Sequence, residues 1–230
     1  MLQTNLKLFV AISLLAFGIA NPGWAQRAPS PSEIANYAGL HLAAHNGDLA
    51  TLEKLIADGA PLNDRDSFGR TAAHVAAFAS NDEIIRALAE AGADMNALEN
   101  GIYDVVTIAS VANDPELVSL AIEVGNDPGL TTSIYDGTAL IAAAHLGHHE
   151  VVKRLIKAGA PLNHVNNLAW TALIEAVVLG DGGPNHIRTV EALVDAGADI
   201  SIGDRDGVTP LQHAVARGYV EIEAIIRGAM

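Results

Sequence analysis

The sequence predicts an all-α fold, a solenoid of about six helix-turn-helix units with short loop or β-hairpin tips, and three observations carry that expectation. Glycine-closed strings recur as IADGAPLN, AEAGADMN, IEVGNDPG, IKAGAPLN and VDAGADIS, with glycines at Gly59, Gly92, Gly125, Gly159 and Gly197. Their spacings are 33, 33, 34 and 38 residues, the range of stacked supersecondary units. A second string precedes each close: GLHLAAHNGD, RTAAHVAAFASND, YDVVTIASVAND, TALIAAAHLGHH, TALIEAVVLGDG and, at the end, TPLQHAVARGY. The chain is also 50% hydrophobic but only 4% aromatic, so its apolar content is mostly Ala, Leu, Ile and Val, which suits close packing of short helices.

The first element is set apart from the fold. Residues 1–25 combine a polar start containing Lys7, an apolar run from Leu8 to Ala20 and a small-residue ending at Gly23-Trp24-Ala25. That is the pattern of an export signal, with cleavage expected after Ala25. The apolar run is too short for a comfortable membrane span of about 20 residues. With no cysteine in the chain, neither lipid attachment at the cleavage site nor a disulfide is expected. Residues 26–32, QRAPSPS, read as a linker with nothing to pack. Cleavage would remove Lys7 and no acid from 13 basic and 27 acidic residues, taking the formal charge from −14 to −15. Nucleic acid and anionic membrane are therefore poor partners, and a protein with a basic surface suits the chain better.

The repeats follow at about 36–66, 67–99, 100–133, 134–166, 167–204 and 205–230. In the fourth, Thr138 is placed to cap a first helix whose apolar face runs through Leu140, Ala143 and Ala144. Thr71, Thr171 and Thr209 repeat the capping role, and Pro210 occupies the helical position where a missing amide costs nothing. The second helix carries Val151, Val152, Leu155 and Ile156 on one side and closes at Gly159. Helices of barely ten residues are marginal alone in water, so the hairpins must stack and share buried faces.

These strings resemble the ankyrin repeat, with its G-x-T-P-L-H-x-A-A start and L-L-x-x-G-A-D-V-N close. DGVTPLQHA at 206–214, GRTAAHVAA at 69–77 and LIKAGAPLN at 155–163 match it best. The resemblance covers about Ser32 to Met230. It implies interlocking loops in which His41 and His74 bond to neighbouring units, and a first copy, lacking the capping Thr, that acts as an N-terminal cap. The third copy departs from the pattern at Tyr103-Asp104-Val105-Val106 and at its GNDPG close. WTAL with GDGGP resembles exported bacterial members.

GDGGPNH, Gly180 to His186, has the glycine density of a phosphate loop. It follows a helix, lacks a Lys-Ser/Thr, and carries Asp181, which repels phosphate. It reads instead as about five extra residues, Asp181 to Asn185, lengthening a loop between two helices. No nucleophile arrangement is legible. His145, His148 and His149 have helical metal-ligand spacing and supply the rival reading, a metal-dependent hydrolase, but the helix is expected to end near Gly147 and let the rings diverge. Carboxylates at Asp64, Asp66, Asp204 and Asp206 are expected to serve turns. No catalytic residue, metal or cofactor is expected.

The resemblance implies recognition through a concave groove lined by loop tips and first helices. Mapped copy by copy, the groove residues are Phe68, Arg70, Phe78, Tyr103, Tyr135, His145, Trp170 and Arg205, with aromatic and Arg side chains the usual carriers of interface energy. The expected protein is a monomeric, non-enzymatic module, periplasmic or secreted, that binds another protein. Related exported proteins suggest a narrower alternative, neutralising a toxin or supporting a stress-defence enzyme such as a periplasmic catalase.

Overall fold

A computed structural model describes residues 26–230; the expected export signal lies outside the described residues. After one turn of helix, α1 (Pro31–Ile34), six helical hairpins follow in order. They are α2 and α3 (Gly39–Asn46, Leu49–Ala57), α4 and α5 (Ala72–Phe78, Asp82–Glu90), and α6 and α7 (Val105–Val111, Pro115–Glu123). Then come α8 and α9 (Ala139–His145, His149–Lys157), α10 and α11 (Ala172–Val178, Pro184–Asp195), and α12 and α13 (Pro210–Arg217, Val220–Gly228). The first helices form one row and the second helices another, with each hairpin packed against its sequence neighbours.

Small residues allow the first row to close up. Ala43, Ala44, Ala76, Ala77, Ala109, Ala143, Ala144, Ala176 and Ala214 are all buried where adjacent first helices meet. Larger side chains fill the space between the rows: Leu52, Ile85, Leu88, Leu117, Val152, Leu155, Leu193 and Ile222 are fully buried. The core is therefore a continuous strip running the length of the stack.

The ends of the helices follow the sequence. Oγ1 of Thr138, Thr171 and Thr209 accepts from the amides of Ile141, Ile174 and Gln212 at 3.3, 3.2 and 3.4 Å. In the third copy Asp104 replaces threonine and accepts from Thr107 N at 2.8 Å. The closing glycines 59, 92, 125, 159 and 197 have φ of 83°, 94°, 106°, 84° and 88°, the left-handed region where a Cβ is costly. The unusual GNDPG close places Asn126 in the interior, where it accepts from Val106 N at 2.9 Å and donates to Asp104 and Asn96 at 2.8 and 3.0 Å. A side-chain network thus supports the irregular copy.

Two expectations need correction. Residues 26–32 do not hang free: Ser30 caps α1, with Glu33 reaching back to Ser30 N at 2.9 Å, and Arg27 pairs with Glu33 at 2.6 Å. The insertion in GDGGPNH is not all loop. Three residues, 79–81, link α4 to α5, but five, 179–183, link α10 to α11. Helix α11 has 12 residues where α5, α7 and α9 have nine. The five extra residues divide into two of loop and three of helix, because Pro184 fits the first helical turn and starts α11 early.

Candidate functional site

Each copy begins with a tight turn, and the turns line one edge of the stack. Asp66, Asn166 and Asp204 each use Oδ1 to accept two turn amides, those of Phe68 and Arg70, Leu168 and Trp170, and Asp206 and Val208, at 2.8–3.0 Å. Asp66 and Asp204 thus hold turns as expected, while Asp206 supplies an amide. Between copies, Asn100 N donates to Phe68 O, Ser133 N to Ile102 O and Asn167 N to Tyr135 O at 2.9, 2.7 and 3.0 Å. Residues Thr131–Thr132 (β1) and Gly137–Thr138 (β2) form a short antiparallel pair at the fourth tip. His41 and His74 reach the next turn at Arg70 O and Tyr103 O, at 2.8 and 3.1 Å. His74 Nδ1 accepts from Thr71 N, so Nε2 carries the proton; burial pushes this imidazole down to about 4, so it holds the tips as a neutral group.

The tips and first helices of copies three to five enclose a groove of about 310 Å³. Tyr103, Tyr135 and His145 line it, joined by Ile134, Leu168, Ile141 and Leu146. Burial raises the Tyr103 hydroxyl above the ordinary phenol range. Beneath these side chains lies Glu175, 6% exposed. Its Oε1 accepts from Asn166 Nδ2 at 2.8 Å, and His145 Nδ1 lies 3.2 Å from Oε2. At the rim Gln26 contributes to the lining, and its Nε2 is buried with no acceptor.

The family profile described as "Ankyrin repeats (3 copies)" matches residues 14–101 and 106–204. The chain belongs to the ankyrin repeat family. It is 32% identical over 189 residues to the putative ankyrin repeat protein YahD of Escherichia coli K12, covering 82% of this chain and 94% of that one. An ankyrin repeat domain from Acinetobacter baumannii AYE superposes with a TM-score of 0.78 at 43% identity, covering 83% of this chain and 96% of that one. The ankyrin repeat domain of Bcl-3, at 24% identity and TM-score 0.69 over 84% of this chain and 99% of that one, shares the fold. Ankyrin repeat domains are protein–protein interaction modules.

Within this ankyrin stack the eight expected groove residues separate into three groups. Tyr103, Tyr135 and His145 come together in the groove. Trp170 and Arg205 lie at later tips outside its lining, where Arg205 Nη2 donates to Asn167 O at 3.2 Å, and Phe78 packs partly buried against the core. Arg70 must be withdrawn as a partner contact. It is 1% exposed, clamped by Glu33 at 3.0 Å and Asp66 at 2.7 Å. Phe68 belongs to the same cluster, with the guanidinium carbons of Arg27 and Arg70 at 4.4 and 4.9 Å from its ring centroid. The ankyrin surface near the N-terminus is thus covered by the chain itself.

The histidines considered for metal turn to separate partners. His145 faces Glu175, His148 Nδ1 lies 2.9 Å from Ser110 O, and His149 Nε2 lies 3.4 Å from Arg188. Among the described residues no group of three His, Cys, Asp or Glu converges on a metal position. His148 belongs to a recurring tie, in which a residue at or just inside the start of a second helix bonds to a carbonyl at the end of the preceding copy's first helix or just beyond it. Asn81 to Ala44 O, His186 to His145 O and Tyr219 to Gly180 O repeat it at 2.9, 3.1 and 2.9 Å. Sequence reasoning missed Ile134, Leu168 and Glu175: the first two lie at tip positions beside residues it selected, whereas Glu175 sits in a helix register that the tip pattern does not mark.

Proposed function

We propose that the protein is an exported, non-enzymatic adaptor, periplasmic or secreted, that acts as a monomer and captures a partner protein in the groove of copies three to five. The groove carries this reading: a concave, mostly apolar surface with two tyrosines at its wall. The formal charge of −14 favours a partner with a basic surface.

The test is a capture experiment from an extract of the source organism. Tyr103→Ala combined with Tyr135→Ala is expected to leave the helical signal intact and to remove the captured partner, since aromatic anchors of this kind are each worth about 2 kcal/mol or more. Lys157→Glu, on the exposed second-helix row, is expected to leave capture unchanged. Loss of capture with Lys157→Glu and retention with the tyrosine pair would move the binding surface to the other side of the stack.

A further inference from the structure

We infer that the groove recognises an arginine side chain of its partner, with Glu175 as the carboxylate that selects it. The inference rests on the groove being the partner site and deepens that reading by naming what enters. Glu175 is the one carboxylate in a lining that contains no Lys or Arg among the described residues, and the imidazole of His145 is the basic side chain that faces it. The carboxylate lies beneath apolar and aromatic walls, where a low local dielectric strengthens its attraction for a cation.

Glu175 is already oriented. Asn166 holds Oε1 and His145 faces Oε2, which fixes the carboxylate, and with about four acceptor positions an ionised carboxylate keeps acceptor capacity beyond these two partners. A guanidinium matches the site better than an ammonium, since it donates in a planar fork and also stacks on aromatic rings. The molecule shows this packing elsewhere: both Arg27 and Arg70 lie over the Phe68 ring while paired with carboxylates. Gln26 lines the same cavity with a buried amide donor that has no acceptor, a loss that an entering donor able to reach Glu175 does not share.

The experiment is an NMR titration of the chain at pH 8 with N-acetyl-arginine methylamide and, in parallel, N-acetyl-citrulline methylamide, which has nearly the same shape and no charge. The arginine compound is expected to shift resonances of Tyr135, Ile141 and Leu168 saturably and to bind about tenfold more tightly than citrulline, the factor for roughly one charge-assisted hydrogen bond. Glu175→Gln, which preserves an acceptor for Asn166, is expected to bring the two compounds within about twofold. Equal binding of arginine and citrulline to the wild-type chain overturns the inference and leaves the groove reading standing. No shift at those residues with either compound also overturns it, and the tyrosine capture experiment then decides the groove separately. If Glu175→Gln loses its helical signal, the arginine-to-citrulline ratio on the unaltered chain still decides the matter.

Discussion

Arg70→Ala is expected to lower the stability of the chain by about 3 kcal/mol in urea denaturation, the low end of the range for breaking one side of a buried ion pair. The side chain is 1% exposed, and its removal leaves the Glu33 and Asp66 carboxylates, themselves 16% and 9% exposed, without their shared cation. The cost stays at the low end because Arg27 still holds Glu33, while Tyr37 and two amides still hold Asp66. Arg70→Lys is expected to recover less than half of the loss, because one ammonium cannot reproduce a planar fork. Acid acts on the same cluster. Burial alone would raise Glu33, but hydrogen bonds from Arg27, the Ser30 amide and Arg70 hold it down at about 2. A depressed carboxylate contributes its full stability above its unfolded value, near 4.5, and loses it as pH falls towards 2. Amide protection of Glu33 and Ile34 is therefore expected to fall through that window.

Leu155→Ala is expected to cost about 2–5 kcal/mol, the cost of emptying a fully buried leucine site whose surroundings relax only in part. Leu155 has no exposed surface, and its helix α9 packs against α8, α7 and α11, so the void opens at the centre of the strip. The urea midpoint should move with little change in slope. Val220→Ala, at a side chain 73% exposed, should change stability by less than about 0.5 kcal/mol.

The repeats were legible because their signals are local. A glycine closing five of the second helices, a threonine opening four of the first helices and paired alanines within three of them are local signals that recur from copy to copy, so the period exposes them. The same period placed Tyr103, Tyr135 and His145 at the edge that the structure assembles into a groove. Arg70 escaped because its partner Glu33 lies 37 residues earlier, in a stretch that composition marks as a tether. Glu175 escaped because its contact with His145 joins non-equivalent positions of neighbouring copies, 30 residues apart, and the period relates only equivalent ones. The helix–loop division of the insertion depends on where Pro184 starts α11, which a count of extra residues does not reveal.

Ending the chain after Asp204, which removes α12 and α13, gives the most direct test that each hairpin depends on its neighbours alone. The shortened chain is expected to keep the helical content of the remaining five hairpins per residue and to unfold at a lower urea midpoint with a proportionately smaller slope. Loss of helix throughout the shortened chain would show instead that all the hairpins share one indivisible core.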